Sequence, residues 1–322
     1  MAQAHGLESQ VFIQEETAFA EDPTPGGYLL PCVSYEVTES QNEIPNPTIV
    51  PGTRNMQKPA RGNIDVSGNL VVVPFAEMGL LLKWLLGSVT TTGSDPYTHT
   101  FTVNTALDSF VAELGLTDIT QYFKANGCKI QNMTGAIGQE GFFEMTFGVS
   151  GAKMTRGTSP LDGSPTTLNP TFFENFDIGT LEEGGSTIAV VTGITGLTVE
   201  NGLTDSRVID TTNPGIKKAI YPQLISVSGT INMVLEDATY IDKAINATET
   251  SLKLQWTLGD GLGSAGNESL QIYIPEMRYA RTTPTFTGGD PLFVDLNFTA
   301  YHDDHADNSE IQFILKNSTA TY

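Results

Sequence analysis

One strand pattern occurs twice in the sequence, as NIDVSGNLVV at residues 63–72 and as LISVSGTINM at residues 224–233. In the first copy every second residue from the second onward is apolar or glycine, which is the period of a strand with one buried face. The second copy keeps this phase 161 residues later in a chain of 322, with Gly68 and Gly229 both on the apolar face. A glycine inside a strand often marks a bulge or a close backbone approach. The repeat predicts two related β-domains in tandem.

A short helix is predicted after each copy of the strand. Apolar residues recur there at the spacing of one helical stripe, and Gly87 is placed to end the first helix. The stripes consist of Met78, Leu81, Leu82 and Leu85 in the first half and Ala238, Ile241 and Ile245 in the second.

A second strand also recurs, as GFFEMTFGVSG at 141–151 and PLFVDLNFTAY at 291–301. Glu144 and Asp295 occupy the same outward position of the two copies. Further strands are predicted at 34–37, 97–103, 109–114, 127–133, 196–199, 251–256 and 269–275.

The predicted fold class is all-β, with one short helix in each of two tandem β-sandwich domains. The predicted division is an N-terminal arm at 1–30, a first domain at 31–155, a linker at 156–185 and a second domain at 186–322. Each domain contains a long loop, at 38–62 and 200–223. Because long loops inside compact domains tend to be functional, both are expected to contact neighbouring molecules.

The composition of the chain argues against several classes of function. A net charge of −21 disfavours a protein that binds nucleic acid tightly, although an acidic surface can also serve solubility alone. Cys32 and Cys128 are the only cysteines and are predicted to be buried thiols. Neither a basic leader nor a long apolar segment is present, so neither export by a signal peptide nor membrane insertion is expected.

No motif in the sequence predicts catalysis, a cofactor or a metal site. The HDDH run at 302–305 is the one candidate for metal ligands, but on a strand its two histidines would lie on opposite faces, and a solvated strand end explains it better. The run GDGLGSAG at 259–266 precedes no helix and is predicted to be a hairpin loop. His99 alternates with aromatic neighbours and is predicted to be packed in the core. The chain is therefore not expected to be an enzyme.

Six segments carry a resemblance to a known family. VSGNLVVVPFAEMGLLLKWLLGSVTTTGSDPYTHTFTV, SFVAELGLTDITQYFKANGCKIQNM and FEMTFGVSGAKM resemble the tail tube proteins of long-tailed bacteriophages with flexible tails. VSGTINMVLEDATYIDKAINATE and FVDLNFTAYHDD in the second half, and the opening QVFIQEETAFAEDPTPGGYLLPCVSYEV, are similar to the same family. The resemblance covers nearly the whole chain and consists of structural patterns.

The resemblance implies a β-sandwich or split-barrel domain, six of which form a ring. Rings stack into a tube that conducts DNA into the host cell without binding it specifically. Because two such domains are predicted in this chain, three chains per ring are preferred over six. The acidic charge suggests a negatively charged lumen, with Glu144, Asp295 and Asp65 as candidate lumen-facing residues. The candidates for inter-ring contacts are Pro45, Pro47, Arg54, Arg61, Arg207 and Lys217.

The implied partners are copies of the chain itself and the tail terminator, tape measure and distal tail proteins. The implied location is the virion tail, assembled in the host bacterial cytoplasm, with no cofactor and no membrane. Two other classes stay open: a secreted or surface β-sandwich adhesin or pilus-like module, and a hydrolase on a sandwich scaffold. A tube protein of a gene-transfer particle or a phage-derived bacteriocin is a close relative of the first interpretation.

Overall fold

A computed structural model describes residues 4–284 and 291–322 and has an all-β architecture, which confirms the predicted fold class. Two α-helices accompany the strands, α1 at Gly79–Leu86 and α2 at Thr239–Asn246. The strands of the first half are β1 Ser9–Glu15, β2 Tyr28–Leu29, β3 Ser34–Tyr35, β4 Thr38–Ile44, β5 Ala60–Val72, β6 Gly87–Gly93, β7 Tyr97–Val103, β8 Phe110–Leu116, β9 Gln121–Ile137, β10 Glu144–Gly151 and β11 Lys153–Gly157. Those that follow are β12 Thr166–Thr167, β13 Ile178–Glu183, β14 Ser186–Thr187, β15 Val191–Glu200, β16 Thr204–Ser206, β17 Ala219–Tyr221, β18 Ser226–Val234, β19 Thr250–Thr257, β20 Ser269–Tyr279, β21 Phe293–Ala300 and β22 Gln312–Asn317.

Eight antiparallel strands form one sheet that runs through both halves of the chain, which we call the long sheet. Its order is β4-β5-β10-β9-β15-β18-β21-β20, with β3 beside β5 next to β4. The two repeated strands, β5 and β18, each lie second in a group of four. Among the described residues no sheet closes on itself, so the long sheet is open at both sides.

The two halves meet inside the long sheet, where β9 pairs with β15. Thr134 lies opposite Thr198, and Met133 opposite Val199. Asn201, just after β15, donates from its side chain to the carbonyl oxygens of Leu85 at 2.9 Å and Ile130 at 3.0 Å. Backbone hydrogen bonds between β9 and β15 and the buried side-chain amide of Asn201 thus stabilise the junction.

A second layer of strands packs against the long sheet. In the first half its order is β12-β2-β1-β8-β9-β11, and β9 is long enough to take part in both layers. In the second half the order is β14-β13-β19-β20-β22-β7-β6. The hairpin β6–β7 belongs to the first half in sequence but extends the second-half layer, so the halves are joined here as well.

The buried side chains form one continuous core across both halves. Six of the eight residues of α1 are buried, and Gly87 ends this helix in the left-handed conformation with a φ of 90°, as predicted. Only Ala244 is buried in α2. Phe143 of the first half stacks on Trp256 of the second, with ring centroids 5.4 Å apart.

The glycines of the repeated strands permit close approaches, as predicted. A Cβ added at Gly68 would lie 2.1 Å from the carbonyl oxygen of Glu36. A Cβ added at Gly229 would lie 2.8 Å from the ring of Phe298. A neighbouring strand or ring therefore occupies the space of the missing side chain.

Several segments expected to be irregular contain strands. The predicted loop at 38–62 begins with β4, whose seven residues are all exposed and therefore lack the alternation that predicts a strand. The loop at 200–223 contains the paired strands β16 and β17. In the segment 1–30, of which residues 1–3 lie outside the described residues, β1 pairs with β8 and buries three apolar side chains. Within 156–185, β13 pairs with β19.

The cysteine prediction is half correct. Cys128 is fully buried, whereas Cys32 is only partly buried, so the prediction for Cys32 was wrong. Cys32 follows the short strand β2, where the chain lies near the surface. Burial raises the pKa of both thiols.

Candidate assembly surface

The long sheet has one apolar face and one polar face. The apolar face packs into the core, whereas the other presents mainly serine, threonine and asparagine side chains to solvent. We call it the polar face; its members include Ser67, Asn69, Asn132, Thr134, Thr146, Thr195, Thr198, Ser228, Thr230, Asn232, Asn297 and Thr299. Small neutral side chains of this kind give a hydrated surface with few points of strong attachment.

The three candidate lumen-facing residues all lie on the polar face. Asp65 is on β5, Glu144 begins β10 and Asp295 is on β21, and all three are exposed. Glu200 at the end of β15 lies on the same face and was missed, because it was counted as part of a loop. The polar face is therefore acidic on balance.

Hydrogen bonds between side chains run across the second half of the polar face. Asn232 donates to Asp295 at 2.7 Å, and Thr230 donates to Asn297 at 2.6 Å. Thr195 donates to the side-chain amide oxygen of Asn232 at 3.1 Å. Cross-strand pairs of this kind stabilise a sheet and hold its side chains in defined positions.

Arg207 and Lys217 connect the segment 200–223 to the first half of the same chain. Arg207 binds the Asp65 carboxylate at 2.5 Å and donates to the Ile64 carbonyl oxygen at 2.8 Å. Lys217 is buried and donates to Ser150 at 2.8 Å. Burial lowers the pKa of Lys217, and the nearby acids Asp205 and Asp65 oppose that shift.

The hairpin of β4 and β5 projects the other four candidate contact residues. Pro45, Pro47, Arg54 and Arg61 are all exposed. Large apolar side chains are exposed on the same hairpin: Ile44, Ile49 and Met56 retain 54%, 89% and 75% of their accessible surface. A group of exposed apolar side chains marks a surface for contact with another protein.

Both side edges of the long sheet are free within the described residues. At one side β4 pairs only with β5. At the other, β20 pairs with β19 up to Met277, and beyond that point its outer edge has no strand partner among the residues that the structure describes. An exposed edge is a template for pairing with another chain.

An open apolar cleft lies beside β4. It has a volume of about 440 Å³ and is lined mainly by Val37, Leu114, Phe123 and Met154. It opens between the long sheet and the second layer of the first half, next to the free edge.

The HDDH run has a structural role here. Glu276 is 2% exposed and accepts the backbone N–H groups of Asp303, Asp304 and His305 at 2.7, 3.3 and 3.1 Å. Burial opposes ionisation of this carboxylate, but the backbone hydrogen bonds and His302 outweigh it and lower its pKa. No group of three or more potential ligands able to hold a metal occurs in residues 4–284 and 291–322.

The remaining candidates for chemistry are parts of the fold. His99 is fully buried, as predicted, and its ring nitrogens bond to Thr91, Asn317 and the Thr319 carbonyl oxygen. Burial lowers its pKa. The glycine-rich run at 259–266 connects β19 to β20 as a hairpin loop, also as predicted.

Comparison with known proteins identifies the family of this chain. Residues 6–300 match a family model described as phage tail tube protein. No curated protein matches the chain significantly. Within the described residues, no helix has the length and apolar character needed to span a membrane.

Proposed function

The chain belongs to the family of phage tail tube proteins, structural components of the virion tail, and we propose that three copies close into one ring of the tube with the polar face lining the bore. The single observation that carries this proposal is the long sheet, which is continuous through both halves; within residues 4–284 and 291–322 it has no strand partner on the outer side of β4 or of β20 beyond Met277.

The order of strands supports a duplicated tube domain. The groups β4-β5-β10-β9 and β15-β18-β21-β20 have the same order, and in each the repeated strand lies second. The pairing of β9 with β15 within the chain then has a counterpart between chains, in which β20 pairs with β4 of the next copy.

Strand arithmetic supports three copies per ring. Three sheets of eight strands make 24 strands, more than the 16 to 18 of a porin barrel. At about 4.8 Å per strand the perimeter is about 115 Å and the diameter about 37 Å, before strand tilt widens the barrel. Six chains per ring would double this perimeter.

The polar face suits a conduit for DNA. Glu144 and Asp295 repel phosphates, whereas the charge of Asp65 is balanced by Arg207. DNA affinity depends chiefly on Lys and Arg releasing counterions. A lumen of small neutral and acidic side chains lets the duplex pass without adhering.

Stacking of rings is assigned to the exposed hairpin of β4 and β5. Its tip carries Pro45, Pro47 and Arg54 together with the exposed Ile49 and Met56. Arg61 lies at its base. The intrachain bonds of Arg207 and Lys217 favour a supporting role for those two residues over a direct inter-ring contact.

The remaining parts of the proposal follow from the family. The partners are other copies of this chain and the tail terminator, tape measure and distal tail proteins, and assembly takes place in the host cytoplasm. No catalytic activity and no cofactor is included. A tube of a gene-transfer particle or a bacteriocin would use the same geometry.

Negative-stain microscopy and light scattering of the concentrated protein test this proposal. We expect rings or tubes with a central bore, and rings whose mass corresponds to three chains. A protein that stays monomeric at all concentrations would refute assembly, and rings of six chains would refute the stoichiometry.

A further inference from the structure

The two free edges of the long sheet carry opposite charges. Along the β4 edge, residues 34–44 contain the exposed acids Glu36, Glu39 and Glu43 and no basic residue. Along the β20 edge, residues 277–284 contain the exposed Arg278 and Arg281 and no acidic residue. The chain has only 16 basic residues among 322. Two of them lie at the β20 edge, which is the edge that would face the acidic β4 edge of another copy.

The register of β9 against β15 within the chain predicts the register of β20 against β4 of the next copy. On the β15 side, Val199 lies opposite Val227 of β18, just as Glu39 lies opposite Val66 of β5. Because Val66 and Val227 are the same position of the repeated strand, Glu39 corresponds to Val199.

The β20 side is aligned in the same way. Met133 of β9 lies opposite Phe147, and Tyr279 of β20 lies opposite Phe298. Gly68 lies opposite Val149 and Gly229 lies opposite Phe298, so matching the repeated strands makes Phe298 the counterpart of Val149 and Leu296 the counterpart of Phe147. Continued two residues past Tyr279, the register of β20 against β21 sets Arg281 opposite Leu296, so Arg281 corresponds to Met133.

Since Val199 pairs with Met133 within the chain, the same register pairs Glu39 with Arg281 of the next copy. Glu39 and Arg281 then lie directly opposite each other on the same face, at a distance that their side chains bridge, and Thr38 lies opposite Thr282. Ser40 lies opposite Ala280, and Arg278 lies on the polar face two residues further along the edge.

The side chains at this edge are available for such a contact. Within the described ranges neither Arg281 nor Glu39 forms an ion pair. The guanidinium of Arg278 lies 5.0 Å from the centre of the Tyr301 ring, whose hydroxyl donates to Glu249 at 2.6 Å. Arg278 is thus held in place on the polar face beside the edge.

We propose that this charge difference selects the partner edge, so that β20 of one copy pairs with β4 of the next and like edges are kept apart. Two β4 edges paired antiparallel would bring Glu39 and its acidic neighbours together, and two β20 edges would bring the arginines together; like charges in close contact oppose association. Only the unlike pairing is head-to-tail, and only a head-to-tail interface generates a closed ring of three.

The internal junction explains why the charges are needed only between chains. At the positions that correspond to Glu39 and Arg281, it has Val199 and Met133, which are uncharged. Chain connectivity already fixes which strands meet there. Between separate copies, selection has to come from the edges themselves.

The inference rests on the proposed function. Its test reverses each charge separately in the full-length chain and then combines both reversals, which restores a pair of opposite charges. Arg281→Glu and Glu39→Arg are each expected to raise the concentration for half-maximal ring formation by about tenfold or more, since each creates a like-charge contact. The double variant Arg281→Glu/Glu39→Arg is expected to return this concentration to near that of the wild type. Lys316→Glu, on β22 away from both edges, makes the same charge change and should leave assembly unaltered. Circular dichroism melts confirm that each variant folds.

A cross-link separates failure of the inference from failure of the proposed function. Thr38→Cys/Thr282→Cys in a Cys32→Ser background should give disulfide-linked trimers under mild oxidation. If the cross-link forms but the reversals have no effect, or the double variant is not restored, then charge does not select the edge, although the ring stands. If the wild type forms rings and the cysteines fail to link, the register is wrong. If the wild type forms no rings, the proposed function itself fails.

Discussion

Replacing Phe143 by alanine should reveal whether the two halves unfold as one unit. The Phe143 side chain is fully buried, and its ring lies nearly parallel to that of Trp256, at an angle of 6°. It belongs to the first half and Trp256 to the second, so the substitution removes packing from the contact between them. A buried Phe→Ala change costs about 3–5 kcal/mol.

The expected shift in melting temperature follows from the size of the chain. An unfolding entropy of about 2.1 cal/mol/K per residue gives about 0.7 kcal/mol/K for 322 residues that unfold together. The melting temperature should therefore fall by about 4–7 °C. Differential scanning calorimetry should show a single transition in both proteins, because β9–β15 and β7–β22 pairing joins the halves.

Phe142→Ala is the matched control. Phe142 is the preceding residue but is 56% exposed, so its loss should shift the melting temperature far less. If both variants lowered the melting temperature equally, the contact between Phe143 and Trp256 would not make the contribution to stability assigned to it. Two separate transitions, of which only one moves, would refute the single cooperative unit.

Three further predictions address the strand contact, a buried acid and the polar face. Gly68→Ala should destabilise the protein by about 2 kcal/mol or more in urea titrations, because the new Cβ meets the Glu36 carbonyl, whereas Gly163→Ala, with open space around it, should have almost no effect. Burial raises the pKa of Glu113 above 4.5, so its stabilising contribution is fully present below that pH and is lost as the pH rises through the raised pKa. Unfolding titrations should show Glu113→Gln gaining stability relative to the wild type as the pH rises above about 4.5, and a pH-independent difference would contradict this. Glu144→Lys/Asp295→Lys should make assembled tubes retain duplex DNA in a salt-dependent manner, whereas Glu236→Lys/Asp260→Lys, in exposed turns, should retain much less; equal retention by both would argue against a luminal polar face.

The elements that the sequence predicted well are those with one buried face. β5 and β18 alternate strictly, and α1 has a complete apolar stripe ended by Gly87, so the local pattern determines the structure. The same alternation correctly placed Glu144 and Asp295 on an exposed face.

Elements without such a pattern were missed for physical reasons. Every residue of β4 is exposed, so it has no apolar period, although it forms an edge of the long sheet. β22 and the hairpin β6–β7 were missed as partners, because pairing between strands about 200 residues apart leaves no local signal. The acidic and basic edges became visible only when the sheet order showed which strands lie outermost.

The pairing of β22 with β7 also determines when a nascent chain can complete its fold. About 209 residues separate the end of β7 at Val103 from the start of β22 at Gln312. At roughly 5–20 residues per second, the ribosome takes about 10–40 s to cover that distance. During this interval the outer edge of β7 lacks its partner, and a chain cut short before Gln312 never acquires it. Incomplete translation products thus lack the strand through which β7 of the first half is joined to the second half.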